Sequence, residues 1–450
     1  MTLAGTLALA ACASYAPKPL DTHGKPLVDP QAVPVDARQM SLPELRAHVF
    51  DPSDGLDMTE VAMLAVANNP DLRLARDDAH IARAQAFAAG LLPDPQIALG
   101  AAHPSFNIPG SNINAYSFGV TYDVLSLLRH SADTASARAS LDSAELQMLW
   151  KEWQTVAQAR VLFVRNVFGE RNIALLKEEQ SLFADRQARL QRAFDAGNVT
   201  TDALATNLTD VTSSQQKIDD AQRKLAQNRH DLDTLLGLDA SARPKLVGDA
   251  DVPVIDSERV RDAMADLPHR RPDLVALEAG YRSEEQKYRS AVLAQFPLLT
   301  VGYNRQRDTS GIYSGGPTIS LSLPVFSGNR GNIAIEKATR QRLYDDYQGR
   351  LASARSDIDA ILDDRALAEH QLVEVRQSVA ELTRVTAHSQ AAFSAGNIDM
   401  LTYATQRDAL LSKRLEELGI EQSLMEQQVN LQSLLGGDIP TRGTIPEPVK

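Results

Sequence analysis

Phe194-Asp195-Ala196-Gly197-Asn198-Val199 returns 199 residues later as Phe393-Ser394-Ala395-Gly396-Asn397-Ile398. Self-similarity at a fixed offset takes priority over any length-based count of domains, because it mis-assigns the fold when missed. Leu235-Leu236-Gly237 returns as Leu434-Leu435-Gly436, again at 199. Upstream, Pro70-Asp71-Leu72 returns as Pro272-Asp273-Leu274, and Pro95 and Gly100 return as Pro297 and Gly302, at 202. Four anchors in one order, with offsets drifting by three, make the chain two tandem copies. They fall at 57–238 and 256–437, joined by a Pro- and Asp-bearing linker at 239–255 and followed by a tail at 438–450.

Each copy reads helix, strand, loop, strand, long helix, turn, helix. Helical periodicity runs from Met58 to Ala89 and stops before Pro93 and Pro95. Strands are then expected at about 95–103 and 115–125, and in the second copy at about 297–305 and 317–326. Ile97 and Leu99 alternate with Gln96, Ala98 and Gly100; Tyr116, Phe118, Val120 and Tyr122 alternate with Ser117, Gly119 and Thr121. Leu299, Val301 and Tyr303, then Ile319, Leu321 and Leu323, repeat the pattern. Short period-two segments with one apolar, aromatic-bearing face suit membrane strands. The connections 105–114 and 306–316, rich in Gly, Ser and Asn, read as exposed loops.

No proline interrupts 131–193 or 332–392. Helices of that length span about 90 Å, far beyond a typical globular helix. Leu351, Ala354, Ile358 and Ile361, then Ala368, Leu372, Val375, Val379 and Leu382, follow three-four spacing. Leu204, Val211, Ile218, Leu225 and Leu232 fall every seventh residue, as do Tyr403, Leu410, Leu424 and Leu431, with Glu417 interrupting. Such heptads mean coiled-coil packing against neighbouring helices.

Composition narrows the function. The chain of 450 residues has 46 basic and 58 acidic side chains, a net charge of −12, which argues against nucleic acid as a partner. No apolar stretch of about 18 residues follows the N-terminus, so no membrane-spanning helix is expected, although strands would escape that test. Four strands cannot close a barrel, and an open sheet in lipid leaves its edges unsatisfied. Either the strands are pooled with other copies or they are not membrane strands.

Residues 1–11 suit a signal peptide core, and Leu9-Ala10-Ala11-Cys12 resembles a bacterial lipoprotein box. In that resemblance Cys12, the sole cysteine, is the lipidated first residue of the mature chain, and residues 12–56 follow as an extended segment. Ala13 rather than aspartate after it implies sorting to the outer membrane. The absence of Lys or Arg ahead of the apolar run departs from the pattern.

The duplicated Asn69-Pro70-Asp71-Leu72 and Arg271-Pro272-Asp273-Leu274, Phe296-Pro297 before a strand, Leu323-Pro324-Val325-Phe326 leaving one, and the two Ala-Gly-Asn tips together resemble the outer-membrane factor family of TolC-type efflux channels. Residues 89–95 look most like its heavy-metal branch. The resemblance covers about 56–437 and implies a mainly α fold with a small membrane β-barrel part. In it, a homotrimer pools four strands per chain into one twelve-stranded barrel in the outer membrane. The long helices form an α-barrel across the periplasm, with the 239–255 linker in its equatorial region. The implied function is passive exit from an inner-membrane pump, joined through a periplasmic adaptor, for small toxic compounds or metal ions. No catalysis, cofactor or metal site is implied. A polypeptide secretion duct of a type I system is the alternative within the family. A non-pore periplasmic coiled-coil lipoprotein is the alternative outside it.

The candidate site lies at the helical turns. Gly197, Asn198 and Val199, and Gly396, Asn397 and Ile398, have a full structural explanation as helix C-terminal turns. The resemblance adds adaptor contact and closure of the tunnel. Asp399 stands near an acidic gate position, with Thr402 at the next position where an acid would be expected. Three converging carboxylates would repel one another and attract cations. Asp399 also has a plain role at a helix N-terminus. Asp202 occupies the comparable region of the first copy. Asp71 and Asp273 are both expected to be structural, at helix starts. The nine histidines and eight methionines show no ligand spacing.

Overall fold

The computed structural model describes residues 15–22, 24, 27, 29–30, 33–104, 113–248, 253–324, 326–437 and 441–444. The signal segment 1–11 and Cys12 lie outside the described residues. The first elements are α1 (Pro43–Ala47) and α2 (Met58–Asn68), the latter opened by a capping box. Asp57 Oδ1 accepts from the Thr59 and Glu60 N–H groups at 2.7 Å, and Glu60 reaches back to the Asp57 N–H at 2.9 Å.

The single helix expected over 58–89 is broken. Asn69 is extended (φ −58°, ψ 127°), and a separate helix, α3 (Pro70–Ala89), begins after it. Proline has no N–H to continue the ladder and pushes the residue before it out of the helical region. Asn69 then caps α3 by accepting from the Leu72 N–H at 2.9 Å.

Next come β1 (Gln96–Ala102), β2 (Ala115–Asp123), α4 (Val124–Asp195, 72 residues) and α5 (Thr201–Leu235, 35 residues). The second copy follows β3 (Pro253–Ile255) with α6 (Ser257–Met264), α7 (Leu267–Arg270), α8 (Pro272–Leu293), β4 (Leu298–Arg307) and β5 (Tyr313–Ser322). It ends with α9 (Arg330–Ser394, 65 residues), α10 (Met400–Leu435, 36 residues) and β6 (Thr441–Thr444). The strand expected to reach 125 stops at Asp123, whose side chain accepts from the Leu125 N–H at 2.9 Å and so starts α4 at once.

The second hairpin is also tighter than its composition suggests. Strands run through Arg307 and resume at Tyr313, leaving 308–312 as the turn rather than 306–316. Asp308 Oδ1 accepts from the Ser310 and Ile312 N–H groups at 2.9 Å each, which closes that turn. Neither linker nor tail shows a strand pattern, yet β3 of one pairs antiparallel with β6 of the other.

The duplicated motifs meet in space. In the first copy Gly237 packs on the residue before Asn69-Pro70, where an added Cβ would lie 2.7 Å from the Asn68 carbonyl oxygen. Asn68 Nδ2 donates to the Leu236 and Gly237 carbonyls at 2.7 and 3.1 Å, and Asn69 Nδ2 to the Leu235 carbonyl at 2.7 Å. In the second copy Gly436 lies equally close to Arg270, 2.8 Å from its carbonyl oxygen. Both glycines have positive φ, 63° and 72°. Leu-Leu-Gly and Pro-Asp-Leu therefore recur together because each is the other's packing surface.

Helix α4 packs against α2, α3, α5, α8 and α10, while α9 packs on α8 and α10. The heptad residues Ile218, Leu225 and Leu232 of α5 are buried, as are Tyr403, Leu410, Leu424 and Leu431 of α10. Glu417, which interrupts the second series, is met by Arg376 of α9 at 3.2 Å; the same guanidinium holds Glu421 at 2.8 Å. Each copy has its own apolar cluster, around Leu64, Val156 and Leu236 in the first and Leu274, Ile358 and Leu435 in the second. Val164 and Phe168 of α4 join Leu372, Leu424 and Met425 to tie the copies together. Among the described residues no helix is long and apolar enough to cross a membrane.

Candidate functional site

The four membrane-type strands form one sheet in the order β1-β2-β4-β5, all antiparallel, so the two copies join through β2 and β4. Register decides what each face carries, because side chains alternate with period two. Ile97, Val120, Tyr303 and Pro317 form one row, and Leu99, Phe118, Arg305 and Gly315 the next. Tyr122, Val301 and Ile319 form another row of the same face. The opposite face carries Ala98, Gly119, Asn304 and Gly316, then Gly100, Ser117, Gln306 and Ser314. Apolar alternation read separately in four segments thus converges on one face of one sheet.

That face is solvent-exposed in the single chain: Leu99 is 78% and Ile319 74% accessible. Exposed apolar area of this kind marks an unmet partner or lipid. Strands β1 and β5 are free edges, which lipid does not tolerate.

At the far end of the helices both turns have one geometry. Gly197 and Gly396 take φ of 73° and 75°. Asn198 N–H donates to the Ala193 carbonyl at 2.8 Å and Gly197 N–H to that of Phe194 at 2.8 Å. Asn397 and Gly396 repeat this with Ala392 and Phe393 at 2.9 and 3.0 Å. These are Schellman closures, which need a left-handed residue just past the helix end. Asn198 and Asn397 are exposed, and Val199 and Ile398 half-buried.

Gly396→Ala is expected to cost only about 1 kcal/mol, since φ is unfavourable but no atom lies within 4 Å of the new Cβ. Gly436→Ala should cost clearly more, because the Cβ also meets the Arg270 backbone. Thermal unfolding of the two variants compares them directly, and equal losses would contradict the packing described above.

Asp399 is the N-cap of α10, its carboxylate accepting from the Thr402 N–H at 2.7 Å. This backbone hydrogen bond, with help from the Thr402 side chain, holds the Asp399 carboxyl below the usual carboxylate range. Thr402 is thus the donor that favours the ionised form of Asp399. The position matching Asp399 in the first copy is Thr200, which caps α5 through the Ala203 N–H at 3.4 Å. Asp202 lies inside the first turn and is not its counterpart.

Above the turns, residues that sequence reading missed tie α4 to α10. Arg407 Nη2 pairs with Glu178 at 3.1 Å, and its Nη1 donates to the Tyr403 hydroxyl at 3.3 Å. The Tyr403 ring stacks on Phe393 at 5.3 Å with 4° between planes, and Arg189 lies over Phe393 at 5.6 Å. Tyr403 and Arg407 sit four apart on one helix face, a local signal, but Glu178 is more than 200 residues away in sequence. Among the described residues no three His, Cys, Asp or Glu side chains converge as metal ligands would.

Comparison with known proteins places this geometry. Residues 265–437, most of the second copy, match the profile of the family described as outer membrane efflux protein. Over that segment the chain resembles outer membrane efflux proteins. It is similar to the pyoverdine export outer membrane protein OpmQ of Pseudomonas putida, 24% identical over 91% of this chain and 92% of that one. It is also similar to the probable outer membrane lipoprotein SilC of Salmonella typhimurium, 19% identical over 83% and 84%. The solved CmeC outer membrane channel of Campylobacter jejuni shares the fold, with a TM-score of 0.71 at 17% identity over 96% of this chain and 97% of that one. The fold is that of solved outer-membrane channel structures.

Proposed function

We propose that this protein acts as the exit channel of a tripartite efflux system, passively passing small toxic compounds or metal ions from an inner-membrane pump and periplasmic adaptor to the exterior. The observation that carries the reading is the four-stranded sheet, apolar on one face and small or polar on the other, with both edges open. A closed barrel needs about eight strands or more, so copies must contribute strands together.

The flanks of the chain support a ring. On one side stand β1 and α3, the latter exposing Leu74, Ile81 and Phe87; on the other stand β5 and α9, exposing Ile335, Tyr344 and Leu367. These are two different surfaces, so their contact is heterologous, the kind that generates a ring when its rotation closes. Three chains give twelve strands, the homotrimer expected from the resemblance. Residues 12–56 would anchor the chain through lipid on Cys12, as the name of SilC supports for that relative. The segment 89–95 is what favours metal ions as cargo. The Gly197-Asn198-Val199 and Gly396-Asn397-Ile398 turns, exposed and rigidly closed, are offered to the adaptor.

The Arg407 bridges and the Asp399 ring would keep the isolated channel closed. Single-channel recording of the purified protein should show low conductance, and Arg407→Ala should raise it several-fold by freeing α10 from α4. A large constitutive wild-type conductance would contradict this reading. Asp399→Ala should weaken block by trivalent cations. Because hydrogen bonds hold the Asp399 pKa below the usual carboxylate range, its charge persists through that range and is lost only in stronger acid. Block should therefore be constant between pH 5 and 8 and fade in stronger acid. Block unchanged in Asp399→Ala would remove this residue from the gate. Imaging of the detergent-extracted protein tests the assembly: a threefold particle well over 100 Å long is expected, and a thin monomeric rod would favour the structural coiled-coil alternative.

A further inference from the structure

The outward face of the sheet carries two positive charges that export does not use. Arg305 and Arg307 of β4 share the apolar face with Leu99, Phe118, Tyr303 and Ile319, as the pairing register requires. Both lie in the rows next to the 308–312 turn, at the end of the sheet remote from the helices. In the barrel proposed above this is the lipid-facing surface at the outer leaflet. Arginine is costly there at mid-membrane and tolerated only close to the interface.

No carboxylate neutralises the pair. The sheet's own strands contain one acid, Asp123, at the opposite end and occupied in capping α4. Asp308 is engaged with the backbone of its own turn, and residues 103–114 of the neighbouring connection contain no Asp or Glu. Among the described residues neither arginine forms an ion pair.

The surroundings hold the Arg307 guanidinium in place instead. Arg307 lies over the Tyr313 ring at 5.4 Å, and the Tyr313 hydroxyl meets that of Tyr116 at 3.2 Å. The Arg307 Nε is buried and has no hydrogen-bond partner among the described residues. Arg305 stands between Phe118 and Gly315, the latter leaving its side of the row without a side chain. One guanidinium fork over an aromatic ring and a second in the adjoining row of the same face, with Leu99 and Ile319 on that face too, offer phosphate recognition and acyl-chain contact together. Planar guanidinium donors match phosphate oxygens in pairs.

We propose that Arg305, Arg307, Tyr116 and Tyr313 form a binding site for the phosphorylated headgroup of an outer-leaflet lipid. The proposal rests on the barrel reading of the preceding section, and its test separates the two. The full-length protein, purified in mild detergent and stripped of lipid, would be titrated with bisphosphorylated lipid A, with phosphatidylcholine and with inorganic phosphate. Native mass spectrometry would count the adducts on the assembled species. Lipid A should bind at least about tenfold more tightly than phosphatidylcholine, and Arg305→Gln with Arg307→Gln should abolish the difference. Arg305→Lys with Arg307→Lys, which keeps charge but loses the forks, should retain part of it, and it carries the test if the glutamine variant does not assemble. Equal binding by wild type and either assembled variant, or equal displacement of lipid A by millimolar phosphate, would overturn the proposal. Failure of the wild type to assemble at all would instead overturn the barrel.

Discussion

Asp273→Ala should destabilise the protein by about 3–5 kcal/mol, whereas Asp71→Ala, at the matching position of the first copy, should cost under about 1 kcal/mol. The two aspartates stand in the same Pro-Asp-Leu motif at the same helix position. Asp273 is buried, and Arg271 donates to its two oxygens through Nε and Nη2 at 2.9 and 2.7 Å, with side-chain exposures of 4% and 7%. The Arg271 guanidinium also lies over the Trp150 ring at 5.0 Å. Truncating Asp273 leaves a buried guanidinium without its counter-charge, and that stranded charge is the source of the large loss.

Asp71 has 69% of its side chain exposed and only a 3.7 Å contact to Lys151, itself 44% exposed. Solvent screens that pair, and the capping work in the first copy is done by Asn69 instead. Arg271 occupies the Asn69 position in the second copy and makes no side-chain cap there. Thermal unfolding followed by helical circular dichroism would compare the variants. Similar losses at both positions would mean that the Arg271–Asp273 pair is not the buried element described here. A double variant replacing both Arg271 and Asp273 with apolar residues should recover much of the loss, since it leaves no charge behind.

Ile319→Arg should abolish assembly in the outer membrane, while Ser320→Arg, one residue later on the other face of β5, should leave it largely intact. Ile319 lies at mid-strand in the row of Tyr122 and Val301 and is 74% exposed in the single chain. For a chain in water, an arginine at such an exposed site would be close to neutral. On the lipid face of a barrel it costs about 2–4 kcal/mol at the bilayer midplane, and every copy in the ring incurs it. Residue 320 faces the small and polar surface, where the water-filled lumen of the proposed barrel would accommodate charge. Membrane fractionation with electrophoresis of unheated samples gives the readout. Normal assembly of Ile319→Arg would show that this face does not meet lipid and would revive the coiled-coil alternative.

The helical part was legible because its signals are local. The heptads of α5 and α10 and the three-four spacing of α9 each report one face of one helix, and those faces are the buried ones. The tandem copies were legible because Pro-Asp-Leu and Leu-Leu-Gly must be duplicated together to pack. Sequence reading failed where a single residue outweighed a periodic trend. Pro70 splits the helix expected over 58–89, Asp123 ends its strand two residues early, and Asp308 tightens the second hairpin. The candidate residues at the turns were legible as helix ends, and Asp399 as a cap. Their tie to α4 was not, because Arg407 and Glu178 belong to different copies.

Length, duplication, helix faces and strand alternation were thus determined by the sequence itself, since each depends on spacings within one segment. The tertiary structure alone decided that β2 pairs with β4 to make one sheet from two copies, that β3 finds β6, and that two identical Pro-Asp pairs differ, one buried against arginine and tryptophan and one left in water. Those outcomes depend on which distant surfaces meet. Burial and register are properties of the meeting, and no spacing within a single segment encodes them.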